Sequence, residues 1–133
     1  MLQRSIYGHE AESFVMNFEK ERLNRRQPIE WVALVSVNDG YDIASYDNDD
    51  DKDFNRFIEV KSYAGKNKYF YLSANELKVS KRKKDSYWLY LVNRDKLSEE
   101  GYAPKMIQNP HEEVFTSSEW EKKPQNWKFQ EIK

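Results

Sequence analysis

The chain contains no cysteine, which excludes disulfides, thiolate nucleophiles and cysteine-based zinc sites. No apolar run approaches membrane-spanning length, and the opening MLQRSIYGHE lacks the hydrophobic stretch of a secretory signal. The expectation is a cytoplasmic protein with no membrane partner. An excess of charge of one sign is missing as well: 22 basic residues stand against 23 acidic ones, for a net charge of -1. Proteins that coat DNA are usually strongly basic, and this one is not. The 133 residues show no repeat and no low-complexity segment beyond one run of aspartates. That is the length of one domain with one core.

What is present is charge and aromatic bulk, 34% and 15% of residues. The combination fits a folded α/β or α+β domain better than a disordered chain. HEAESFVMNFEKERLNRR, residues 9–26, predicts a helix with Ala11, Phe14, Val15 and Phe18 on one apolar stripe, stopped at Gln27 and Pro28. IEWVALVSV, 29–37, predicts a buried strand, and Asn38-Asp39-Gly40 a turn that pairs it with the next one. YDIASYD, RFIEVKSY and a short KYFYL, 68–72, predict three more strands. SANELKVSKRKKDS, 73–86, predicts a helix opened by a Ser73–Glu76 capping box. In SYWLYLVN, 86–93, both alternating faces are apolar or aromatic, as in a covered central strand. Beyond residue 95, APKMIQ predicts a strand, SSEWEKK a helical turn and NWKFQEI a last strand.

Chemistry concentrates in GYDIASYDNDDDKDFNRFIEVK, residues 40–61. Residues two apart on a strand share a face, so Ile58 and Val60 point to a core while Phe57, Glu59 and Lys61 point outward. If the strands on either side of the aspartate run pair, Asp42 joins Glu59 and Lys61 on that outward face. Two carboxylates and a lysine are what metal-assisted phosphodiester cleavage uses. Carboxylates hold Mg²⁺ (or Mn²⁺), and a lysine orients the attacking water and stabilises developing charge. The competing reading is a plain amphipathic strand, where opposite charges on a solvated sheet add a few tenths of a kcal/mol. Spacing alone favours the plain strand.

Other charged residues are less specific. The run Asp47, Asp49, Asp50, Asp51, Asp53 is not a calcium loop, because Lys52 replaces the required glycine and Ile58 the closing glutamate. A mobile, solvated loop directed away from any phosphate substrate is expected. Lys78, Lys81, Arg82, Lys83 and Lys84, with Lys66 and Lys68, either form a basic rim for backbone phosphates or an ordinary charged helix face. Tyr63, Tyr69 and Tyr71 are expected to pack on the sheet rather than stack on bases. His9 and His111 have no partner at metal-ligand spacing and receive no role.

Five segments in order, GHEAESFVMNFEKERL, GYDIAS, RFIEVKS, YFYLSANEL and YWLYLV, cover most of residues 8–92. Together they resemble the C-terminal domain family of the plant protein NO VEIN, a domain of unknown function that looks like a branch of the PD-(D/E)XK nuclease superfamily. The resemblance implies a restriction-endonuclease-like αβββαβ core, a mixed central sheet flanked by helices, over about 8–93. Residues 94–133 would be a C-terminal extension. It implies a Mg²⁺-dependent nuclease with Asp42 and Glu59 as metal ligands, Lys61 as the motif lysine, Glu12 in support, and Glu76 holding the lysine or a metal-bound water. For Glu76 the capping role is the stronger local reading. Tyr41 stands where the superfamily places proline. Implied partners are nucleic acid, DNA foremost, a partner protein of a restriction or defence system, and a second copy to cut both strands. A catalytically silent nucleic-acid or protein-interaction module on the same fold is the alternative.

Overall fold

The computed structural model describes residues 2–24, 28–36, 38–66, 68–124 and 129–132. Helix α1, Leu2–Arg22, is followed by β1, Glu30–Trp31, β2, Ile43–Ser45, and β3, Arg56–Tyr63. Then come α2, Ala74–Lys83, β4, Tyr87–Asn93, and β5, Lys105–Gln108. The strands form one mixed sheet in the order β1-β2-β3-β4-β5, antiparallel except for the parallel β3–β4 pair. The parallel pair requires a crossover, and α2 supplies it. This is an α+β architecture consistent with a restriction-endonuclease-like core.

β3 organises the two faces. Ile58 and Val60 join Ala11, Val15 and Met16 of α1, Ile43 of β2, and Tyr90 and Val92 of β4 in a buried cluster. In the parallel register Glu59 lies beside Leu89 and Lys61 beside Leu91, on the opposite face. Both faces of β4 are therefore covered, as its two-sided apolar pattern requires.

One glutamate lies inside the α1 contact. Glu19 is fully buried on the apolar stripe. Its carboxylate accepts from Arg22 Nε at 2.8 Å, Ser45 Oγ at 2.7 Å and Tyr90 Oη at 2.9 Å. Arg56 Nη1 extends the network by donating to Tyr90 Oη, and its Nε pairs with Asp47 at 2.8 Å. A buried charge with each oxygen matched to donors is tolerated where an unpaired one would not be. The network locks the last turn of α1 to β2, β3 and β4.

Several elements depart from expectation. α1 begins at Leu2 rather than near His9 and ends at Arg22, whose guanidinium caps the carbonyls of Tyr46 and Asp47; the expected stop at Gln27 lies outside the described residues. Of the strand expected over 29–37, only Glu30–Trp31 is strand among the described residues, and Val37 lies outside them. After one further rung, Ala33 N–H to Asp42 C=O, the chain coils into a 3₁₀ turn, Val32–Leu34, leaving Leu34 and Val35 exposed. KYFYL is not a strand, because both edges of β3 are occupied by β2 and β4. Its Tyr69 and Tyr71 are exposed rather than packed on the sheet. In the tail, SSEWEKK holds a turn at 118–119 and a bend at Trp120 but no helix, and the helical turn is a widened one at His111–Phe115. Of the expected final strand, 126–128 lie outside the described residues and 129–132 have no regular structure.

Gly40 fixes the approach of β2 to α2. It adopts φ +79°, and a Cβ there would come within 2.6 Å of Val79. Its carbonyl accepts from buried Tyr87 Oη at 2.7 Å. Gly40→Ala is expected to destabilise the fold by about 2–4 kcal/mol, combining overpacking with a left-handed backbone. Urea denaturation should show Val79→Ala, added to that variant, recovering part of the packing loss and none of the backbone part, because the Val79 Cβ would still lie 2.9 Å from the added one.

Candidate active site

The β2–β3 register places Ile43 opposite Ile58, so Asp42, one residue before, faces Glu59. The Ile58 carbonyl accepts from Asp42 N–H at 2.8 Å, and Asp42 Oδ2 accepts from Val60 N–H at 2.8 Å. The aspartate is thus clamped on β3 by main-chain bonds at both its backbone and its carboxylate. Lys61 Nζ lies 3.1 Å from Glu59 Oε2 and 3.1 Å from Glu76 Oε1. Glu76 Oε1 also accepts from Ser73 N–H at 2.9 Å, while Ser73 Oγ accepts from Glu76 N–H at 3.1 Å. The capping box and the contact with the lysine coexist: one oxygen does both.

Glu12 reaches this region from α1. Its Oε1 accepts from Trp31 Nε1 at 2.8 Å, which fixes it beside the start of β2. Nothing in the sequence marks Trp31 as its partner. Asp42, Glu59 and Glu76 line an open cleft of about 380 Å³, together with Ala33, Ser36, Asn38, Tyr41 and Asn75.

The remaining candidates are spread out. Lys81 and Arg82 lie in the last turn of α2, exposed, and do not line the cleft. Lys83 sits 3.8 Å over Phe57 and 5.4 Å over Tyr41, so it is the basic residue of this helix turned toward the cleft wall. Lys66 and Lys68 are exposed beyond the end of β3. The aspartate run lies past the far end of β2, with Asp47 about 15 Å along the chain from Asp42. Asp51 organises it by accepting from Asn48 N–H and Asn55 Nδ2.

Electrostatics follow from this packing. Burial, and after it the Glu12 carboxylate, push Asp42 up to about 7, against the opposing Val60 N–H and Lys61. Burial and then Asp42 raise Glu59 well above the usual glutamate range. Burial works against the charge on Lys61, but Glu59 and Glu76 outweigh it and hold the lysine above its ordinary range. Near neutral pH the two sheet carboxylates therefore share too much negative charge for one lysine, and a proton or a cation completes the balance. Among the described residues no three His, Asp or Glu side chains converge on one point. The donor set is a carboxylate pair with open space before it, which suits Mg²⁺, an ion that retains waters and takes substrate phosphate oxygens.

Folding raises the Asp42 pKa from 3.8 to about 7, so the folded chain holds that proton more tightly than the unfolded chain. The resulting stabilisation is present at low pH and is lost as pH rises through this window. The melting temperature of metal-free wild type, relative to Asp42→Asn, should fall by on the order of 5 °C between about pH 5 and pH 8. A difference that does not change with pH would show that Asp42 is ionised throughout.

Residues 11–107 match the family model described as Protein NO VEIN, C-terminal. No curated protein and no solved structure matches the chain. Among the described residues no helix is long and apolar enough to cross a membrane. The match spans most of the chain, from within α1 to within β5, and the chain belongs to the NO VEIN C-terminal domain family.

Proposed function

We propose that the cleft is a metal-dependent phosphodiester hydrolysis site acting on nucleic acid, with DNA the first substrate to test. The observation that carries this reading is the convergence of Asp42 and Glu59 at an open cleft, with Lys61 3.1 Å from Glu59 and Glu12 acting on Asp42. A solvated amphipathic strand would leave these groups exposed and apart. Here Glu59 is 3% exposed, and burial first, then Asp42, raises the cost of its charge.

Asp42 and Glu59 would hold the cation, Mg²⁺ or Mn²⁺. When bound it supplies a water of lowered pKa and neutralises charge on the phosphoryl oxygens. Lys61 is kept protonated by Glu59 and Glu76, so it acts as a fixed positive donor toward the attacking water and the phosphoryl group. Glu76 aims that lysine, and the capping box fixes Glu76. Glu12, oriented by Trp31, adds negative potential that favours a cation beside Asp42. The resemblance to the NO VEIN C-terminal domain family, which looks like a branch of the PD-(D/E)XK nucleases, supports a role in a restriction or defence system, with a partner protein or a second copy setting the target.

Plasmid DNA with Mg²⁺, then Mn²⁺, should be nicked by wild type. Asp42→Asn and Lys61→Ala should each lose activity by about a hundredfold or more while still melting cooperatively. Titration calorimetry should show a metal-binding heat that Asp42→Asn lacks. Equal cleavage by wild type and variants would exclude this site. No cleavage together with no metal heat would favour the silent interaction module.

A further inference from the structure

The segment between β3 and α2 carries a second constellation. Between Tyr63 and Ser73 the sequence has two lysines, Lys66 and Lys68, and no acid. Among the described residues it has no sheet partner, and over 69–72 its side chains alternate between exposed and half-buried as in an extended chain. Phe70 packs edge to face on Trp120 at 5.5 Å, and Leu72 is half-buried. Tyr69 and Tyr71 point outward, 64% and 48% exposed. Their rings pack edge to face, with centroids 5.8 Å apart and planes at 82°. In such a pair, the ring that offers its edge keeps both faces uncovered by its neighbour.

Chain connectivity and one side-chain contact place this constellation near the cleft. Tyr71 is two residues from Ser73, which lines the cleft, so it lies within about 7 Å along the chain. Tyr63 alternates with Glu59 and Lys61 on one face of β3, and Lys68 Nζ stands 6.0 Å from its ring. Lys66 and Lys68 are exposed and not ion-paired among the described residues. An anchored strip thus presents two large rings and two cations on the segment that leads to the cleft rim at Ser73.

From this geometry we infer that Tyr69 and Tyr71, with Lys68, form a binding platform for single-stranded or locally unpaired nucleic acid. The inference rests on the cleft being a phosphodiester site, and it names the form of substrate. Duplex bases already stack on one another, so exposed rings gain most from bases that are free to leave a stack. Lysines that track the backbone add affinity that falls with salt. A protein ligand covering two tyrosines would not call for the cations or for the place beside the cleft.

Fluorescence anisotropy in EDTA at low salt, with labelled oligodeoxyadenylate and with its duplex, separates this inference from cleavage. Wild type should bind the single strand more tightly than the duplex. Joint Tyr69→Ala and Tyr71→Ala substitution should weaken single-strand binding by about tenfold or more. Joint Tyr69→Phe and Tyr71→Phe substitution should keep it, and Lys68→Ala should flatten its salt dependence. Unchanged single-strand affinity in the alanine variant would overturn the platform, and so would equal affinity of wild type for the duplex. Failure to bind either nucleic acid would also overturn it. If the platform passes and Mg²⁺ supports no cleavage of either form, the hydrolytic reading fails alone. If wild type and the alanine variant cleave single strands equally, the platform fails alone.

Discussion

Three carboxylates and one ammonium group share the α2 face of the sheet, and most of that end of the fold is arranged around them. Asp42 and Glu59 are held side by side because β2 and β3 are locked in register by Ile43 and Ile58, both fully buried. The hydrophobic cluster on the opposite face supplies the stabilisation that lets two raised carboxylates remain under a helix. A strand with one apolar face and one charged face thus couples folding to the chemistry of the cleft. Slipping β3 by one residue would exchange the two faces and destroy both.

The other end of α1 shows a buried charge handled differently. Glu19 is wrapped by Arg22, Ser45 and Tyr90, and the network continues through Arg56 to Asp47. Its hydrogen bonds are complete, so it fixes geometry. Asp42 and Glu59 are left short of positive charge, with a cleft beside them. One fold holds a carboxylate fully matched to donors and a pair short of positive charge. The contrast is the physical basis for reading only the pair as a site.

Much of this was legible because it depends on short-range rules. The Ser73–Glu76 box, the alternation in RFIEVKSY and the two-sided pattern of YWLYLVN each reflect neighbours a few residues apart. Convergence of Asp42 with Glu59 and Lys61 required a pairing that the sequence suggests and the register supplies. Glu19 was harder: it lies on the Ala11–Val15–Phe18 stripe, but its partners Ser45 and Tyr90 are 26 and 71 residues away. IEWVALVSV misled because hydrophobicity implies a covering layer. Val32 finds one, while Leu34 and Val35 are carried to the surface by a turn that delivers Gly40 to Val79. KYFYL has strand composition, but no sheet edge beside β3 remained for it to join.

Glu76 Oε1 serves the ammonium group of Lys61 and the main-chain N–H of Ser73 at the same time. The first turn of α2 and the charge balance of β3 therefore share one oxygen. An event that draws Lys61 toward the cleft leaves that oxygen to the helix start alone, and one that neutralises Glu59 leaves Glu76 to hold the lysine. The amide of Ser73 reports on this shared oxygen, and its hydrogen-exchange protection would track the charge on β3 through Glu76 and Lys61.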